Sequence, residues 1–483
     1  MRAAVVSKRD VSYPAPDDAF SPGERYPEYP FDRIAHSPNP VYEMVRRSLL
    51  DLGLDAENFG SPRWNPLASK IAPGSQVFIL CNFVYHRRLQ ESDEGFASKC
   101  IHGSVLRAIC DYVYLATGPS GRIRFGNSPL QACDWKAVQN QTGASVVEEF
   151  FRKHDVDVQA RDLRLHVIKL TALGRVRHVD ERDDSSNGVE ISLGEESLLH
   201  EISSQGARPA PFRVLDYKAS RIEAFHANNR HRYVIHRDVL ESDTILSLSK
   251  LKTHQKVGIT CGLKGFVGIV GHKDCLPHHR FGSPEHGGDE YPPGWTFLEL
   301  FSRFQDFVQS REHGGIGQGL LEIIDRTSRR VLGHVGAPMG GAWYGNDTCW
   351  RMAVDLARIA HYADSDGTMH DRPVRRNLSL IDGIVGGEGD GPLSPSPISS
   401  GVVILSDDIP FGDRVAARVM GFDPDTIPLV RESTRRIPHS LWVDGSPLVT
   451  WNGRELPEAD LLSVAKLRFR PPRGWRGRLE AGG

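Results

Sequence analysis

Residues 244–271 read TILSLSKLKTHQKVGITCGLKGFVGIVG, and the way this stretch divides decides the fold. TILSLS (244–249) is a short run of apolar and small residues, which predicts a buried strand. Lys250, Lys252, Thr253, His254, Lys256 and Lys264 follow directly, interleaved with glycines. Ligands of open α/β sheets bind beyond the carboxyl ends of the strands, so the lysines are expected in a loop at such an end. Positive charge beside glycines gathers where backbone approaches a ligand closely, as phosphate and carboxylate sites require. Helical phasing puts Gly258, Gly262 and Gly265 on one face, which suits either tight helix–sheet packing or a ligand. No G-x-x-x-x-G-K-[ST] occurs, so this is not a Walker loop.

Upstream, QVFILCNFV (76–84) reads as a buried strand, HGSVLRAICDYVYLAT (102–117) as a helix and RIRFGNSP (122–129) as the next strand. SVVEEFFRKHDVDV (145–158) supplies another helix. Downstream, LSLIDGIVGGEGDGP (378–392), GVVILSDD (401–408) and DRVAARVMGF (413–422) repeat the rhythm of strand, turn and helix. The expected class is α/β: a doubly wound, mostly parallel sheet with helices on both faces. Four segments are expected: a proline- and aromatic-rich N-terminal arm (1–70), a first α/β half (71–232), a second half (233–430) and a C-terminal extension with a basic tail (431–483). A polar insertion or small hairpin is expected at 180–211, and helices at 297–309, 319–332 and 348–363. Aromatic anchors in the arm suggest a segment that wraps another surface.

The chain has 483 residues, 25% of them charged, with a formal net charge of −2. That balance argues against a general nucleic-acid binder. No run of roughly 18 apolar residues is present, so no membrane span is expected. Seven scattered cysteines form no C-x-x-C pair, which excludes the usual zinc-ribbon and iron–sulfur spacings. Free thiols in a cytoplasmic protein are the expectation.

Three groups of residues carry candidate chemistry. In the lysine segment, Lys252 and His254 are the candidates for catalysis, with Lys250, Thr253, Lys256 and Lys264 binding an anion. Asn82, Asn127 and Ser128 end two predicted strands and join the binding set. In the acidic glycine-rich block, Asp382 and Glu388 could act as acid or base or hold a cation; turn formation and helix capping by Asp407 or Asp408 is the plainer reading. The third group is a histidine loop, residues 272–296, beginning HKDCLPHHRFGSPEHGGDEYPPGW. It offers His272, Asp274, Cys275, His278, His279 and His286, all competent for zinc or iron, in no standard finger or zincin spacing. The cofactor stays open, a divalent metal being the candidate. Near Asn346 and Asp347, Trp343, Tyr344 and Trp350 suit core packing or a stacking wall.

SLSKLKTHQKVGITCGLKGFVGIV and DGIVGGEGDGPLS, the latter followed by a strand, an acidic turn and VAARVMGFDP, resemble the domain-of-unknown-function 362 family of bacteria and archaea. The resemblance runs from about 74 to 430. The family's proline before the first lysine is Ser249 here, its Lys-Pro-Asn is Leu80-Cys81-Asn82, and its Gly-Asp-Ser-Pro is Gly126-Asn127-Ser128-Pro129. Some members carry iron–sulfur modules, for which this chain lacks the spacing. The GNDT sequence with a long histidine loop looks like a subgroup associated with polysaccharide or secondary-metabolite pathways. The functional expectation is an enzyme, of open oligomeric state, acting on a small phosphorylated or carboxylated substrate, a sugar derivative being one candidate. The alternatives are a metal-dependent or redox protein using the histidine loop, and a non-enzymatic scaffold docking through its arm and tail.

Overall fold

Side chains of a strand alternate between the two faces of its sheet, and the strand Thr244–His254 shows this at once. Ile245 and Leu251 belong to one apolar core, while Leu246 and Leu248 belong to a second. A strand buried on both faces needs helices above and below it. The computed structural model describes residues 1–481 except 171–175, 182–184, 204–209, 215–218, 311–323, 325–326, 329–331, 333–335 and 444. The helix expected at 319–332 therefore lies largely outside the described residues, as does part of the insertion at 180–211.

The central sheet uses strands β1 (Arg2–Ser7), β2 (Gln76–Cys81), β3 (Arg122–Asn127), β4 (Val158–Asp162), β5 (Thr244–His254), β6 (Arg376–Glu388), β7 (Ser396–Ser406), β8 (Leu448–Trp451) and β9 (Arg454–Leu456). Their order is β9-β8-β1-β7-β6-β5-β2-β3-β4. The stretch β6-β5-β2-β3-β4 is parallel. β7 pairs antiparallel with both β6 and β1. The architecture is a mostly parallel α/β fold, as the alternation of elements predicts.

One face is covered by α1 (Pro40–Asp51), α2 (Gly103–Thr117) and α3 (Ala144–Lys153). The other carries α4 (Cys261–Gly265), α5 (Cys349–Tyr362) and α6 (Ile409–Met420). α4 lies close on the sheet because its glycines permit it. A Cβ on Gly262 would stand 2.9 Å from Ser379 Oγ and 3.0 Å from Asp413 Oδ1. The Asp413 carboxylate of α6 accepts from Gly262 N (2.7 Å) and Leu263 N (2.9 Å), satisfying donors that a helix start leaves open.

Three details depart from the sequence reading. The strand begun by TILSLS does not stop at Ser249; it runs on to His254 and pairs with Gly258–Ile259, so Lys250 and Lys252 sit on the strand end and not in a loop. The strand Arg232–His236, at the start of the expected second α/β half, pairs antiparallel with Gly188–Ser192 outside the central sheet. The N-terminal arm lies against its own body: Tyr29, Phe31 and Trp64 are buried in the core beneath α1 and α2. All seven cysteines are free and buried. Among the described residues no helix is long and apolar enough to cross a membrane.

Candidate functional site

The carboxyl ends of β2, β3 and β5 lie side by side, and a cavity of about 310 Å³ opens beyond them. Asn82 follows β2, Asn127 ends β3, and Lys252 and His254 end β5; all four line it. Lys256 and Lys264 reach it from the turn after β5 and from α4. Lys273 and His278 reach it from the histidine loop. Four lysines and two histidines thus share one cavity, with no carboxylate among the described residues lining it. Concentrated like charge without counter-charge is costly unless an anion completes it.

The ammonium groups are held by neutral oxygens. Lys252 Nζ donates to Asn82 Oδ1 (2.7 Å) and to the Lys99 carbonyl (2.5 Å). Lys273 Nζ donates to the Ser128 carbonyl (2.7 Å), and Lys256 Nζ to the Gly340 carbonyl. Lys264 makes no hydrogen bond or ion pair through its ammonium among the described residues, although it is largely buried. Burial pushes Lys252 down to about 7, with Lys250 and Lys99 adding repulsion that the Cys100 thiol partly offsets. Burial likewise brings Lys273 to about 7, and lowers Lys264.

The two imidazoles are set in complementary states. His254 Nδ1 accepts from Lys256 N (3.1 Å), which leaves the proton on Nε2. His278 Nδ1 faces the Leu276 carbonyl at 2.9 Å and must donate to it, which leaves a lone pair on Nε2. Burial first, then the neighbouring lysines, hold both rings well below the usual histidine range, so both are neutral near pH 7. One ring offers a donor and the other an acceptor.

Three further lining atoms are buried without a hydrogen-bond partner among the described residues: Asn127 Oδ1, Ser128 Oγ and Thr260 Oγ1. Their residues are 5%, 3% and 2% exposed. Asn127 Nδ2 is committed to the Phe83 carbonyl at 2.9 Å, so its oxygen is the atom left over. Buried polar atoms are nearly always paired in folded proteins; a group of orphans around one cavity marks where a ligand or water belongs.

Other expected site residues lie elsewhere. Lys250 and Asp382 face one another in register across β5 and β6, fully buried, with Nζ 3.0 Å from Oδ2. Tyr13 of the arm closes this pair, donating to Asp382 Oδ1 (2.6 Å), and its ring stacks on His102. Thr253 Oγ1 donates to the Gly389 carbonyl (2.7 Å). Glu388 accepts from Arg470 N at 2.8 Å, and Asp390 is held by Arg473, so the tail occupies the acidic loop. The glycines there serve close packing: a Cβ on Gly391 would fall 2.2 Å from the Thr253 carbonyl oxygen. Neither Asp382 nor Glu388 lines the cavity. Asp408 and Asn346 accept from the first turns of α6 and α5.

The histidine loop does not fold onto one ion. His278 faces the cavity, His279 stands 3.7 Å from Glu290 and His286 pairs with Glu299. Cys275 Sγ takes Val234 N (3.4 Å) and faces the His272 carbonyl. Only His272 and Asp274 of that set converge, and they do so with His166, from the segment after β4. Lys273, Thr260 and His166 were not singled out by the sequence reading. The histidine loop adjoins the lysine segment in the chain, so Lys273 was the most readable of the three.

Sheet and cavity together define an α/β protein with a cationic pocket at the carboxyl ends of its parallel strands. Residues 186–418 match the model of a family described as Domain of unknown function (DUF362). The segment includes every lysine and histidine of the cavity, whereas Asn82, Asn127 and Ser128 lie before it. No curated protein matches the chain.

Proposed function

We propose that this protein is an enzyme that binds a small hydroxylated anion, phosphorylated or carboxylated, in the lysine cavity. The observation that carries the reading is four lysines around one cavity lined by no described carboxylate. The orphaned Ser128 and Thr260 hydroxyls are donors for anionic oxygens, and Asn127 Oδ1 is an acceptor for a substrate hydroxyl. A sugar phosphate or hydroxy acid offers both kinds of group. His278 Nε2 would take a proton from that hydroxyl while His254 Nε2–H would donate to a developing negative charge. Lys264, whose ammonium has no partner among the described residues, would bind the anion most directly. Seven free buried cysteines support a reducing, cytoplasmic setting.

The experiment is titration calorimetry of the full chain with inorganic pyrophosphate, sugar phosphates and hydroxy acids. Binding at micromolar to millimolar strength that weakens with salt and is lost in Lys264→Met is expected. No binding by any of these anions, or binding in Lys264→Met and Lys252→Met equal to that of the unmutated protein, defeats the reading.

A further inference from the structure

The geometry points to a second site: a divalent transition ion of the zinc or ferrous-iron class, held by His166, His272 and Asp274 beside the cavity. It stands on different residues from the anion pocket and does not depend on that reading.

The three side chains offer two imidazole nitrogens and one carboxylate oxygen, all within 4.8 Å of one another. Two imidazoles with a carboxylate suit zinc or non-haem iron. The backbone builds this convergence. Leu165 N donates to the Gly271 carbonyl at 3.0 Å, so the next residue of each segment, His166 and His272, emerge together with ring centroids 4.3 Å apart. Gly271 permits the approach, since a Cβ there would stand 2.7 Å from Leu165 Cγ.

An independent observation marks the carboxylate. Asp274 is 1% exposed, and its Oδ1 is buried with no hydrogen-bond partner, while Oδ2 accepts from Arg221 Nη1 at 3.0 Å. A bare carboxylate oxygen in the interior is expensive. Oδ2, the oxygen that Arg221 holds, also lies 3.7 Å from His272 Nδ1, so the carboxylate faces that ring, and a metal-binding carboxylate held by an arginine is an ordinary outer-sphere arrangement. The Gln131 amide lies against His166 Nε2, and Gln131 Oε1 is itself buried and unpartnered. With that oxygen turned toward the ring, Gln131 accepts Nε2–H and leaves Nδ1 as the ligating atom. The His272 side chain is 34% exposed, which gives an ion a way in. Lys273 lies between the two loop ligands and points into the cavity, so a bound ion would clamp the strap that delivers it.

The test uses full-length, tag-free protein stripped with chelator. Cobalt(II) is titrated while visible absorption is followed, and zinc is then added in competition. About one equivalent per chain is expected, with affinity falling at least about tenfold in His166→Ala and Asp274→Asn and unchanged in His286→Ala. Uptake below about a tenth of an equivalent by the unmutated protein overturns the site. So does equal binding in both ligand variants, which would place the ion elsewhere. Zinc-edge X-ray absorption on the unmutated chain decides the matter should a variant not fold: two imidazoles are expected, and their absence overturns the assignment.

Discussion

Lys250 and Lys252 stand two residues apart on one strand, are both fully buried, and have opposite surroundings. Lys250 meets Asp382 in register, with Tyr13 closing the pair. Between the two lysines the register with β6 shifts, and the neighbour of Lys252 becomes Gly387. Lys252 is left with an amide oxygen and a carbonyl, facing a cavity. A bulge in the partner strand thus separates a lysine paired within the fold from one that faces the cavity. The residue type is the same; the register decides its use.

The largest expected effect tests the first half of that contrast. Lys250→Ala should destabilise the protein by about 3–5 kcal/mol, because Asp382 is left as an uncompensated buried charge. Denaturant unfolding measures it, and a loss below about 1 kcal/mol would remove the distinction. Lys252→Met should leave stability within about 1.5 kcal/mol, since no carboxylate loses its partner. The same variant should weaken anion binding by about tenfold, or about 1.4 kcal/mol.

A smaller effect concerns pH. An anion favours the charged form of Lys252, so it raises a group that burial has brought to about 7. Binding should then take up protons above pH 7, and affinity should fall as pH rises from 7 toward 9. Stability of the empty protein should move the other way. Lys252 in the unfolded chain keeps its proton to a higher pH, so unfolding takes up a proton between about 7 and the ordinary lysine range, and this contribution to stability rises with pH. Calorimetry in buffers of different ionisation enthalpy reads the uptake; a pH-independent affinity contradicts a charge-switching Lys252. The smallest change expected is for Glu388→Gln. Its link to Arg470 is a partly exposed contact worth about 0–1 kcal/mol, and anion affinity should stay unchanged.

The parallel core was legible because its strands are short apolar runs alternating with helices of plain periodicity. The lysine segment was legible as a cationic site because its charges are adjacent in the chain. The end of β5 was not: Lys250 and Lys252 are poor signals of a strand until Asp382 and Asn82 are known to lie beside them. Asp382 and Glu388 suggested chemistry by type, yet register gave one to Lys250 and the tail gave the other to Arg470. His166 was invisible for a different reason. It comes within reach of His272 through one backbone hydrogen bond between distant segments, and neither spacing nor periodicity encodes such a contact.

β1 lies between β7 and β8, pairing Ala3 with Ser406 on one side and with Val449 on the other. Detaching this one strand would bare two neighbouring edges at once, each a ready template for another chain. Injury there should show first as self-association and turbidity, ahead of any change in the distant cavity.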